Sequence, residues 1–273
     1  MFPAVVAEEI GAVLAELDGA DTGGGGPTAV SLRTNVDRTR VPIERPARPD
    51  RGDFSSPVAL RWASTKPAAR RLAELLAVRV RAMDGVTCCE AVGDGFLNLR
   101  LDASALAGIA RCVIVAGPAY GIDSSRSAHG TASAVRSPLA GQLAHEVRWA
   151  HVRLVAALRA GVSLGAWSGV WGRPDLADLA AEVLVADDTR RLLCAVAEFP
   201  TVVRSAAAGR VFGEYLSELV GLVASFEQAD KIVPQGADEP TSLHRTRLVV
   251  AEAGRTVLSN ALRRCGEQPP LRM

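Results

Sequence analysis

The stretch that most narrows the fold is Gly93-Asp94-Gly95, set between two runs of strand-forming side chains, 85–92 and 96–101. A Gly-Asp-Gly joint supplies residues that tolerate positive φ, so the spacing predicts an antiparallel hairpin. Successive strand side chains point to opposite faces. Leu97, Leu99 and Leu101 therefore share one face, suited to a core, while Phe96, Asn98 and Arg100 share the other. That second face carries an aromatic plate, an amide and a guanidinium at successive same-face positions. Such a set can stack a base, meet its edge and neutralise a phosphate. The same pattern also fits a half-buried strand with Phe96 tucked under a helix, and the strand alone does not choose between the two.

A chain of 273 residues has room for two domains, each with a core. Its 48% hydrophobic and 22% charged residues exclude a disordered chain. No apolar run reaches the length of a membrane span, and Met1–Ile10 lacks the basic start of a signal peptide. The expected location is the cytoplasm, with no membrane partner. Five cysteines (88, 89, 112, 194 and 265) show no metal-ligand spacing, so reduced, mostly buried thiols, no metal and no cofactor are expected. A net charge of +1 argues against a general polyanion binder. Locally, six arginines (245, 247, 255, 263, 264 and 272) stand against Glu252 and Glu267 after Thr241, either a basic surface or a solvated helix face.

Along the chain, apolar spacing predicts a helix over 4–17, with Val5, Val6, Ile10, Val13, Leu14 and Leu17 inward. Asp21-Thr22 and the glycines before Pro27 lack the Gly-Lys-Ser/Thr of a phosphate loop and read as a surface loop. Short strands are expected at 30–36 and 41–44, held to edges by Pro42 and Pro46. Helices follow over 54–63 and from Lys66-Pro67, the latter with Leu72, Leu75, Leu76 and Val80 inward and its arginines solvated. The hairpin and a helix over 103–115 close the segment. The Gly-, Ser- and Pro-rich run from Ala116 to Pro138 reads as a linker.

From Gln142 onward the periodicity is helical, with Leu143, Val147, Ala150, Leu154 and Ala157 on one stripe. Asp187-Asp188-Thr189 starts a helix that Pro200 is expected to end. Phe212, Leu216, Leu219, Val223 and Phe226 form the stripe of the next, and 243–264 is the last. The expected class is α+β, mostly α. A small N-terminal α+β domain with an antiparallel sheet (1–115) and a linker (116–141) precede a C-terminal all-α bundle (142–273). Ser124, Ser125 and His129 in the linker make a chance pairing rather than a catalytic one. Trp167 and Trp171 read as loop anchors or as an exposed aromatic patch.

Several runs resemble arginyl-tRNA synthetases. Residues 192–203, Tyr215-Leu216-Ser217-Glu218-Leu219 and the closing run 247–262 are similar to the DALR anticodon-binding domain of that family. Val147-Arg148-Trp149-Ala150-His151-Val152-Arg153 is similar to the Tyr-Ala-His-Ala-Arg run that opens it, with Trp149 in place of the tyrosine. Gly52-Asp53-Phe54, Val58-Ala59-Leu60 and 93–101 resemble the two signatures of the family's N-terminal additional domain. The resemblance implies that Phe96 and Asn98 hold an extruded tRNA D-loop nucleotide; the guanidinium of Arg100 on the same face is then expected at a nearby phosphate. It implies also that Arg148, Trp149 and Arg153 face the anticodon arm.

The departures matter as much. The linker stands where the family has a class I catalytic domain. The four histidines (129, 145, 151 and 244) never show His-x-Gly-His spacing, and no Lys-Met-Ser-Lys-like loop is present. Adenylate formation needs such donors around the phosphates, so the chain is expected not to be an enzyme. Where the family has Phe-Tyr and an Arg-Val pair, this chain has Phe226-Glu227 and Lys231-Ile232, and Glu227 is expected to repel phosphate. The expected function is non-catalytic tRNA binding. The alternatives are a protein-interaction module that has lost RNA binding and docks on another protein such as a synthetase, and an accessory subunit in arginyl-tRNA aminoacylation.

Overall fold

The computed structural model describes residues 2–20, 41–46, 48–121, 139, 141–167, 179–205, 210–235 and 239–272. The architecture is α+β, mostly α, in two compact units, Met1–Ala105 and Leu106–Met273. The division falls inside the helix expected to close the first domain.

The first unit runs α1 (Phe2–Ala20), β1 (Phe54–Ser56), α2 (Val58–Trp62), α3 (Lys66–Arg81), β2 (Val86–Val92) and β3 (Phe96–Leu101), and α4 (Ala103–Ala116) begins in it. The strands form an antiparallel sheet in the order β1-β3-β2, so the strand singled out from the sequence is the central one. Leu97, Leu99 and Leu101 are buried, and α2 and α3 pack on the sheet. The α1 face of Val6, Ile10, Val13 and Leu14 is buried against the same core as expected, while Val5 is exposed.

Three expectations change here. The helix expected over 54–63 is split, because Phe54–Ser56 pairs in register with Leu97–Leu99 and leaves the helix only Val58–Trp62. Pro57 marks the break, and Ser56 Oγ accepts from the Val58 amide at 3.3 Å. Strand 41–44 shrinks to one bridge, Glu44 to Ser55, because the flanking prolines have no N–H to extend it. Leu75 is 37% exposed, the α3 stripe being carried by Ala69, Leu72, Ala73, Leu76, Ala77 and Val80. The glycine-rich loop and the strand at 30–36 lie outside the described residues.

In the second unit α5 (Gly141–Ser163), α7 (Asp187–Ser205), α8 (Arg210–Ala229) and α9 (Ser242–Arg264) pack together, with a short α6 (Ala181–Val185) before α7. The stripe on α8 is buried throughout, and α9 is buried around most of its girth from Thr246 to Leu262. Its start is fixed by Thr241, whose hydroxyl accepts from the His244 amide while His244 Nδ1 accepts from the Thr241 amide. Trp167 is buried, as an anchor should be, and Trp171 lies outside the described residues.

Pro200 does not end its helix; α7 continues to Ser205. A proline inside a helix has no N–H for the carbonyl four residues back, here that of Val196. The Tyr120 hydroxyl donates to that carbonyl at 3.1 Å, and the Tyr215 hydroxyl donates to the preceding one, Ala195, at 2.9 Å. Both tyrosines of the chain thus serve the carbonyls beside one proline. Tyr120 is itself held by Asn260, whose Nδ2 donates to the Gly117 and Tyr120 carbonyls at 2.9 and 3.0 Å, and by stacking on Phe199 at 6.2 Å. The start of the expected linker is therefore a 3-10 turn, Gly117–Ala119, fastened to α7 and α9; residues 122–138, with Ser124, Ser125 and His129, lie outside the described residues. Tyr120→Phe should cost about 1–3 kcal/mol in urea unfolding, the penalty of a buried carbonyl left without a donor. Most of that loss should disappear in a Pro200→Ala background, where the helix supplies its own N–H.

Candidate nucleic-acid interface

Three local devices hold β3 in place. Gly52 has φ of 103°, and a side chain there would bring Cβ within 2.5 Å of the Leu99 carbonyl oxygen, so only glycine lets the chain approach the strand. Asp53, 5% exposed, then grips the strand, its amide donating to Leu99 O and its Oδ2 accepting from Leu101 N, each at 2.7 Å. The Gly-Asp part of the first signature is thus a clamp on the second.

At the other end the 93–95 turn docks on the start of α3. Gly95, at φ 137°, lies so close that a Cβ would sit 3.1 Å from the backbone of Ala69. Asp94 meets Lys66 at 2.8 Å and Arg70 at 3.4 Å, and Arg70 Nε donates to the Gly93 carbonyl at 3.3 Å. The Asp94–Lys66 hydrogen bond holds the carboxyl below its usual range and raises the lysine. These side chains are exposed, so the contacts orient the turn more than they stabilise it.

On this frame Phe96 is 43% exposed, Arg100 is exposed and Asn98 half-buried, all on the face opposite the leucines. The register adds what the sequence did not show. Asn98 lies between Ser55 on β1 and Glu90 on β2, Phe96 beside Val92, and Arg100 beside Cys88. The Cys88 thiol donates to Glu90 Oε1 at 3.5 Å, and burial followed by that carboxylate raises its pKa, so it is not a reactive thiolate. Cys89, on the core face, is pushed up to about 12 by burial.

Arg148, Trp149 and Arg153 lie on α5, and the structure treats them unequally. Trp149 is 49% exposed. Arg148 pairs with Glu267 at 2.9 Å and Arg153 with Glu227 at 2.7 Å. Glu227, expected to repel phosphate, instead neutralises Arg153; burial raises its carboxyl and the guanidinium opposes that shift. The C-terminal segment lies along this helix as well, with His151 Nδ1 3.1 Å from the Pro270 carbonyl and Arg159 donating to Leu271 O at 3.2 Å. The arginines after Thr241 do not form one basic surface. Arg247 is buried, and Arg255 is bound to Glu252 at 2.6 Å. Among the described residues no group of three or more His, Cys, Asp or Glu side chains is placed to hold a metal, and no helix is long and apolar enough to cross a membrane.

Residues 4–101 match the family model described as the arginyl tRNA synthetase N terminal domain. The chain is 34% identical over 125 residues to the arginine–tRNA ligase of Micrococcus luteus, a match covering 45% of this chain and 22% of that one. It is 43% identical over 84 residues to the ligase of Frankia alni, covering 30% of this chain and 15% of the relative. The ligase of Renibacterium salmoninarum is 42% identical over 84 residues, with the same shares. The matched stretch thus spans about a fifth or less of these relatives. The N-terminal part of the chain is arginyl-tRNA synthetase-like, as its two signatures implied.

Proposed function

We propose that this chain is a non-catalytic tRNA-binding protein, gripping a D-loop base with Phe96 and Asn98 and a neighbouring phosphate with Arg100. The observation that carries this reading is the exposure of Phe96 on the open face of a sheet whose domain matches the N-terminal part of arginine–tRNA ligases. Non-catalytic action is supported by the lack of His-x-Gly-His spacing among the four histidines. On the DALR-like reading of residues 142–273, α5 offers Trp149 to the anticodon arm, and its two arginines must exchange internal carboxylates for phosphate. The protein acts in the cytoplasm.

Purified tRNA should be retained by the chain and released by salt, because each neutralised phosphate sets counterions free. Phe96→Ala should weaken that binding about tenfold to a hundredfold, the loss of 1–3 kcal/mol of base stacking, with an unchanged circular dichroism spectrum. Equal affinity in the variant would end the assignment.

A second reading is favoured by one observation. An exposed Trp149 between two neutralised arginines is the sort of anchor found at protein interfaces. Retention of a protein partner that is lost in Trp149→Ala, with no salt-dependent retention of tRNA, would favour it.

A further inference from the structure

Glu90 stands where a surface that meets RNA phosphates should not carry an anion. It is exposed on β2, opposite Asn98, and forms no ion pair among the described residues; its carboxylate meets the Cys88 thiol. Phe96 is one same-face row along, paired with Val92, so Glu90 is its diagonal cross-strand neighbour. Long side chains in that relation can meet over a shared object.

We propose that Glu90, with Asn98, reads the Watson–Crick edge of a guanine stacked on Phe96. The assignment rests on the reading of this face as an RNA surface, and it names the base that face selects. A carboxylate only accepts hydrogen bonds, and its two oxygens take two parallel N–H groups. Guanine offers N1–H and an N2 amino hydrogen side by side on that edge, with the O6 acceptor next to them for the Asn98 amide. Adenine and cytosine each place a bare ring nitrogen beside their amino group, which repels the second carboxylate oxygen. Uracil has one N–H between two carbonyls. Only guanine turns the unpaired charge of Glu90 from a repulsive group into a bidentate acceptor. Arg100, two residues beyond Asn98 on the same face, then meets the phosphate.

The test uses the full chain and four RNA hairpins that differ in one loop base, guanine, adenine, cytosine or uracil, titrated by fluorescence anisotropy. The guanine hairpin should bind about tenfold tighter or better, as for other bidentate base contacts. Glu90→Gln, which replaces one acceptor oxygen by an amino group, should weaken the guanine hairpin and abolish its preference, while the other three, relieved of the carboxylate's repulsion, bind no more weakly than before. Equal binding of all four hairpins by the unaltered chain overturns the assignment. So does uniform tightening by Glu90→Gln, the mark of a carboxylate that merely repels RNA. Phe96→Ala separates the two levels. If it weakens every hairpin while Glu90→Gln changes nothing, only the role of Glu90 falls; if it weakens none, the RNA face falls with it.

Discussion

Arg247→Met should destabilise the second unit by about 3–5 kcal/mol, the range for removing one member of a buried ion pair. The guanidinium of Arg247, 3% exposed, joins three helices. Its Nη1 lies 3.4 Å from Asp188 Oδ2 in the first turn of α7, its Nη2 donates to the Phe226 carbonyl of α8, and its plane sits 4.3 Å over the Phe226 ring. Methionine keeps much of the side-chain volume, so the loss is electrostatic and not a cavity. It strands the Asp188 carboxylate, 15% exposed, and leaves the Phe226 carbonyl without this donor. The helix dipole at the start of α7 offsets part of the stranded charge, which places the expected cost toward the low end. Urea unfolding followed by tryptophan fluorescence reads it, since three of the four tryptophans lie in this unit. Adding Asp188→Asn should recover part of the loss, and a double variant no better than the single one would show that the ion pair is not the source.

That residue also shows where the sequence stopped speaking. Charge counting after Thr241 found an arginine excess but could not tell which arginines face water, and Arg247 turned out to be core. Local patterns did better where one face alone had to be buried. The alternation over 96–101 fixed which side of β3 is leucine and which carries Phe96, because a strand register slip would put every leucine in solvent. Periodicity fixed the α8 stripe for the same reason. What needed long-range pairing was not legible. Nothing near Phe54 says that it pairs with Leu99, so the spacing over 54–63 predicts a helix where the structure has a strand first. Pro200 carries a local stop signal, yet Tyr120, 80 positions earlier, supplies a donor that lets the helix continue. The candidate site divides in the same way. Phe96, Asn98 and Arg100 were found from one strand, whereas Glu90 and Ser55 enter only through register, and the engagement of Arg148 and Arg153 only through tertiary ion pairs.

The histidine of the run that opens the second helical region gives the last expected result, a loss of stability in mild acid. His151 is 1% exposed, and burial, with Arg255 and then Arg263 nearby, holds its pKa at about 4. Its Nδ1 carries the proton in this arrangement, because a carbonyl only accepts and Nδ1 lies 3.1 Å from Pro270 O; Nε2 has no partner among the described residues. A second proton would therefore place a charge on a buried nitrogen with no acceptor among the described residues, repelled by Arg255 and Arg263. The unfolded chain takes that proton near 6.5. Below that pH the unfolded state binds more protons than the folded one, so stability is full above about 6.5 and falls as the pH drops toward 4. Each pH step of one between those two values removes about 1.36 kcal/mol, so the loss by pH 4 is about 3 kcal/mol. His151→Asn sets an amide nitrogen near the position of Nδ1 and does not titrate. Between pH 7 and pH 4 the unaltered chain should lose about 3 kcal/mol more than this variant in urea unfolding, while carboxylates such as Glu227, common to both, cancel from the difference. Parallel pH profiles would mean that the imidazole takes up its proton in the folded chain, and that the C-terminal segment yields to let water reach it.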